Sequence, residues 1–319
     1  MGNFWKKVDK TEFVVPAVLT LIVLIIGVVA PEAFGKLIDV LFNFVTNDLG
    51  WFYDLGIFAL LIFCLWAGFG KVGKIRLGGK DAKPTISMLS WIAITFTSGM
   101  ALGVVFYGVG EGLMNYCDFP AFAGIESFTA EAAENALSYV FFHWGFHPYA
   151  IYCGAGLGFA FVYWNTKRPF ALSSGLFPLL GEKGEKGLPG KIVNWLCMYI
   201  MVATLGVNVG MATLQIDAGL RYATGLDLPQ SIVAPIIITV IAVIGIVCAS
   251  SGVHKAIKYV STANMIVFII LVGWAFVFGG TEFTLNNMVT SIGSYLKILV
   301  PYSFYLEPAF KTGWVGGWT

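Results

Sequence analysis

Charge is scarce in this 319-residue chain. Asp, Glu, Lys and Arg make up 12% of it, and the formal balance is +1. A chain this neutral offers no basic surface for nucleic acid, and one this poor in charge is not composed like a soluble domain. Cys64, Cys117, Cys153, Cys197 and Cys248 stand singly in apolar segments, with no CxxC spacing. That excludes a disulfide framework and a zinc knuckle and leaves them as small packing residues. The GEKGEKGLPGK stretch resembles a phosphate loop but lacks the GxxxxGK[ST] spacing, so it reads as a solvated turn. No nucleophile with its base, metal cluster or cofactor loop emerges, so nothing supports an enzyme. No small-residue cleavage site follows Ala30, where Pro31 and Glu32 come next, so the first apolar run reads as a retained span.

What the chain does have is hydrophobicity, at 58% of its residues. Seven apolar runs are long enough to cross a bilayer: 13–30, 51–70, 86–116, 136–164, 192–220, 232–250 and 259–279. Fifteen of the 19 Lys and Arg fall before the first run or between runs two and three, four and five, and six and seven. By the positive-inside rule those faces and the N-terminus are cytoplasmic. After run seven, Leu285, Met288, Val289, Ile292, Tyr295, Leu296 and Leu299 recur at helical spacing among polar residues, which predicts an amphipathic interfacial helix.

Two runs carry unusual chemistry. As one helix, run three would be roughly 45 Å long against a hydrocarbon core of about 30 Å, so it must tilt strongly or break. Gly99, Gly103, Gly108, Gly110 and Gly112 weaken its middle, and discontinuous helices are where transporters hold ions and substrates. Taken as a pair alone, Gly99 and Gly103 read first as a close helix-packing seam. Glu111 is either a functional carboxylate or an interfacial one in water. Run four opens with FFHWGFHPYAIY, in which Tyr149 and Tyr152 share a helical face and Trp144 sits near it, with Pro148 loosening the turn between. Converging aromatic faces hold a cation that has no hydrogen-bond donor, although an aromatic belt or ordinary packing is the commoner use. His143 and His147, four apart, have no third metal ligand in view.

Taken together, GMALGVVFYGVGE (Gly99–Glu111), FHWGFHPYAIY (Phe142–Tyr152), PLLGEKGEKGLPGK, VGMATLQIDAGL, SSGVHKAIKYVSTANM and the terminal GGWT resemble the betaine/carnitine/choline transporter family along essentially the whole chain. The resemblance implies an all-α membrane protein with a leucine-transporter-like fold. Residues 1–85 would hold two N-terminal helices, 86–280 the first five-helix inverted repeat, 281–300 the interfacial helix and 301–319 a loop toward an eighth span. It implies secondary transport of quaternary ammonium or related onium osmolytes such as glycine betaine, choline or carnitine, in a bacterial-type plasma membrane. Trp144, Tyr149 and Tyr152 match the family's substrate box, with Tyr149 where some betaine carriers have tryptophan. Met100, Ala101 and Gly103 match its substrate-lining segment, Gly99, Gly103 and Gly108 its flexible helix, and the carbonyls of Thr97 and Met100 one sodium site. Met201 and Leu205 stand where sodium-coupled members have threonines, and Asn264 where carnitine exchangers have arginine. Na+ or H+ symport is therefore expected, with carnitine-type exchange as the alternative. The resemblance further implies a homotrimer and a second repeat supplied by a longer chain or another polypeptide. A different class of reading is a truncated, non-transporting half-protein.

Overall fold

The computed structural model describes residues 9–100, 102–250 and 253–318, and the described residues are helical throughout apart from turns and connections. The helices are α1 (Lys10–Val29), α2 (Pro31–Asn43), α3 (Gly50–Phe69), α4 (Met88–Gly99), α5 (Leu102–Cys117), α6 (Ala130–Trp144) and α7 (Phe146–Thr166). They continue as α8 (Phe177–Lys186), α9 (Leu188–Thr224), α10 (Gln230–Ser250), α11 (Val253–Phe278), α12 (Thr281–Tyr302) and α13 (Trp314–Trp318). Residues within 1–83, 114–203 and 291–319 form one compact unit, and those within 84–113 and 204–290 a second.

Among the described residues, five helices are long and apolar enough to cross a membrane by themselves: α1, α3, α9 and most of α10 and α11. They account for five of the seven expected runs. The other two, 86–116 and 136–164, are the ones that carry the glycine and aromatic motifs, and each is broken. Run three divides where α4 ends at Gly99 and Met100 leaves helical geometry at φ −86°, ψ 67°. Run four divides at Gly145, with φ −94°, ψ −123°.

Pro148 gives the physical reason for the second break. A proline inside a helix has no N–H to donate and presses its ring on the carbonyl four residues back, here that of Trp144. In the first turn of a new helix the missing N–H is no loss, and α7 begins at Phe146. The break removes an intrahelical acceptor from the Phe146 amide, which donates instead to Tyr295 Oη of α12 at 3.1 Å. The Phe146 and Tyr295 rings lie 5.8 Å apart. Farther along, the Tyr139 hydroxyl of α6 donates to that of Tyr302 on α12 at 3.2 Å. Phe119, Phe122 and Trp314 pack around this pair. The C-terminal half of α12 thus braces the elbow between α6 and α7.

That bracing changes the reading of α12. Its helix forms as expected, but Ser291 and Tyr295 are the buried side chains, whereas Leu285, Met288, Val289, Ile292 and Leu296 point outward. The two buried polar side chains find partners on the neighbouring helices, Ser291 donating to the Glu134 carbonyl at 3.5 Å and Tyr295 accepting from the Phe146 amide.

The GEKGEKGLPGK stretch, expected as a solvated turn, is organised by a buried carboxylate. Glu185 accepts from Arg168 Nη1 at 2.9 Å and from Ser174 Oγ at 3.0 Å. The guanidinium lies 3.5 Å from the centroid of the Phe177 ring. Gly181, at φ 61°, bends the backbone of α8 within this turn.

Close approach of α7 to α3 depends on a second glycine. A Cβ on Gly154 would lie 2.9 Å from Leu60 Cδ2, and Cys64 Sγ of α3 reaches the Ala150 carbonyl at 3.5 Å. Two outcomes follow for thermal unfolding in detergent. Gly154→Ala is expected to be near neutral, because better helix propensity offsets a small shift of the flexible Leu60 end, whereas Gly154→Ile is expected to cost about 1–3 kcal/mol. At the elbow, a Cβ on Gly145 would press on the Phe141 carbonyl and lie 3.0 Å from Tyr295 Oη. Gly145→Ala is therefore expected to cost about 1–3 kcal/mol, and Tyr295→Phe, which orphans the Phe146 amide, a similar amount. Unchanged melting in both elbow variants would show that the bracing contact is idle.

Candidate functional site

The residues that the sequence singles out fall in both units and are taken unit by unit. In the unit containing α4, Thr97 lies one turn before the Met100 break. Its hydroxyl donates to the Ser261 carbonyl of α11 at 3.2 Å, and Phe96 stacks edge-on to Phe268 at 5.0 Å. α4 is thereby fixed to α11 just where its backbone opens. A helix end leaves its last carbonyls without intrahelical partners, and here the Phe96 carbonyl takes the Met100 amide at 2.8 Å. Gly99, Met100, Gly103 and Gly108 are half-buried. Ala101 lies outside the described residues. Glu111 is 0% exposed, so the reading as an interfacial carboxylate in water does not hold.

In the other unit, Trp144, Tyr149 and Tyr152 do not lie on one continuous helix, as the spacing suggested. Gly145 and Pro148 put Trp144 at the end of α6 and both tyrosines on α7. Tyr149 and Tyr152 do share a face, with ring centroids 6.4 Å apart, and they are 38% and 65% exposed. Trp144 is half-buried. An open aromatic pair beside a backbone joint can take an onium group by cation–π attraction. Its geometry then follows the elbow angle, since the tryptophan and the tyrosines sit on opposite sides of it.

Sequence reasoning missed what lies behind the elbow. A cavity of about 120 Å³ is lined by Asp54 of α3, Phe142 and His143 of α6, His147 of α7, and Tyr302 and Ser303 at the end of α12. His147 Nε2 is 2.7 Å from Ser303 Oγ. Asp54 Oδ2 and His147 Nδ1 are buried and without a hydrogen-bond partner. Asp54 supplies the third group that the histidine pair lacked in the sequence, yet among the described residues no cluster of His, Cys, Asp and Glu is arranged to hold a metal. The signal was present: Asp54 is the sole Asp, Glu, Lys, Arg or His in run two, and such a group within an apolar span is a functional suspect.

The family described as "BCCT, betaine/carnitine/choline family transporter" matches residues 12–319. The chain is 36% identical over 296 residues to the glycine betaine transporter OpuD of Bacillus subtilis, covering 92% of this chain and 57% of that protein. It is 31% identical over 313 residues to a probable glycine betaine transporter of Desulfitobacterium hafniense, covering 98% and 62%. An ectoine/hydroxyectoine transporter of Virgibacillus pantothenticus is 32% identical over 312 residues, covering 98% and 61%. The chain therefore spans about three-fifths of the length of these relatives. With its broken motif-bearing helices, its apolar spans and a family match along nearly its whole length, the chain is a multi-pass integral membrane protein that belongs to the betaine/carnitine/choline transporter family.

Proposed function

We propose that this chain supplies the N-terminal portion of a secondary active transporter for glycine betaine or a related onium osmolyte, working by alternating access and coupled to Na+ or H+. The observation that carries the reading is that the two apolar runs bearing the glycine and aromatic motifs are the two that are broken, at Met100 and at Gly145. Discontinuous helices present backbone groups and side chains where an ion and a zwitterion need them. Trp144, Tyr149 and Tyr152 take the trimethylammonium group against their ring faces. Met100, where the backbone leaves helical geometry, lines the substrate path together with the family-matched positions Ala101 and Gly103, Gly99 lends the helix its flexibility, and the carbonyls of Thr97 and Met100 hold the coupling ion.

In this reading residues 86–280 are the first inverted repeat of a leucine-transporter-like fold, preceded by two helices. The N-terminus is cytoplasmic in a bacterial-type plasma membrane, as the distribution of Lys and Arg favours. The outward apolar stripe of α12 is the contact surface of a homotrimer. The names of the relatives, which carry glycine betaine in two cases and ectoine or hydroxyectoine in a third, favour a compatible solute as cargo.

The test is titration of the purified protein with glycine betaine, choline, carnitine and ectoine, with and without sodium, followed by tryptophan fluorescence. Saturable quenching by one of them is expected. Trp144→Leu should weaken it about tenfold, the equivalent of about 1.4 kcal/mol of cation–π attraction. Unchanged affinity in that variant would remove Trp144 from the site.

A further inference from the structure

The cavity behind the elbow has a chemistry of its own, separate from the aromatic motif. Ser303 has one hydroxyl hydrogen, and it is donated to the Leu299 carbonyl at 2.5 Å. Ser303 Oγ therefore meets His147 Nε2 as an acceptor, so Nε2 carries a hydrogen. In the neutral ring the other nitrogen, Nδ1, is then a bare acceptor, and it is buried without a partner. Asp54 Oδ2, when ionised, is likewise an acceptor only, and it too is buried without a partner. Two acceptors thus line one chamber within a bundle of membrane helices. No Lys, Arg or second carboxylate lines it, and the other titratable groups facing it are His143 from α6 and Tyr302 from α12. A buried carboxylate without a positive neighbour is strongly disfavoured, and the missing component is a positive charge, for which both acceptors are open.

We propose that Asp54 and His147 form a proton-binding site, with the cavity between α3, the α6–α7 elbow and the end of α12 holding the water that delivers the proton. The chamber of about 120 Å³ has room for several waters. A hydronium ion entering on that water transfers its proton to Asp54 Oδ2 or His147 Nδ1, an O–H or N–H bond forms, and neutral water is left. An alkali cation fits less well, because it prefers more oxygen ligands than the single unpartnered carboxylate oxygen offers. The site also sits on the joint that sets the geometry of the aromatic motif. His143 directly precedes Trp144, and His147 lies two residues beyond Gly145. A unit change of charge there acts on the angle between the helices that carry Trp144 and the two tyrosines.

The proposal does not depend on which osmolyte is carried, and its test needs no transport. Infrared difference spectra of the whole chain in lipid, taken across a pH titration, read the carbonyl stretch that a protonated carboxyl gives and a carboxylate does not. One such band should titrate in the native protein and be lost in Asp54→Asn, whose near-isosteric amide preserves the cavity. In His147→Gln the band should persist with its midpoint moved by about one pH unit, the scale of a nearby charge or hydrogen bond. That second variant keeps Asp54 and decides the matter even if Asp54→Asn fails to fold. A band set unchanged in folded Asp54→Asn, or a midpoint indifferent to His147→Gln, would overturn the site.

Discussion

The constraint on which the rest depends is the satisfaction of backbone polar groups where there is no water. A helix meets that demand internally, which is why the described chain is helical. Every departure from helix inside a span then needs a partner from elsewhere. At Gly145 the partner of the Phe146 amide is a tyrosine hydroxyl from α12, brought from 149 positions later in the chain. At Met100 the helix end is fastened to α11 through the Thr97 hydroxyl and the Ser261 carbonyl. The break at Gly145 is thus completed by a distant polar side chain, and the one at Met100 is held beside a neighbouring helix.

The same constraint inverts the familiar arrangement of an amphipathic helix. Large apolar side chains are exposed along α1, α3, α9, α10 and α11, where they suit acyl chains, and the outward face of α12 is of the same kind. The buried set holds many small or polar residues: Ser90, Ala93, Ala132, Ser138, Ala150, Ser173, Ser174, Ser291 and Ser303. Small side chains let helices approach closely, and hydroxyls find carbonyls across the interface or within their own helix. Gly154 against Leu60 is one such approach, and it seats α7 on α3 beside the cavity. The charge that remains is handled in two ways. Glu185, outside the spans, is matched by Arg168 and Ser174, whereas Asp54, within a span, faces a small chamber containing histidines.

The N-terminal approach to α1 shows ordinary solvated chemistry by contrast. Asp9 caps the helix, and the Thr11 hydroxyl followed by the amides of Thr11 and Glu12 holds its carboxyl below the usual range. Its contribution is therefore present above the ordinary carboxylate range and fades as the pH falls through it. Such a group is screened by water, and its protonation has only local consequences. A change of one charge in the elbow cavity is not screened in that way.

By itself, the sequence determined the class, the number of apolar runs, the family and the stretches where chemistry concentrates. These follow from composition, run length and local residue pattern, which need no knowledge of distant contacts. It located the break in run three because glycines weaken a helix locally, and it placed Tyr149 and Tyr152 on one face because helical spacing is local too. Tertiary structure alone decided the rest. Whether run four bends or breaks depended on Tyr295 being in place to receive the freed amide. Which face of α12 turns inward depended on what α6 offered it, and Glu111 turned out buried although its place in the chain suited water equally well. Asp54, His147 and Ser303, separated by 93 and 156 positions, became one site only when three helices met around a common cavity. Neighbourhood in space between residues so far apart is set by packing, and no local pattern in a single sequence encodes it.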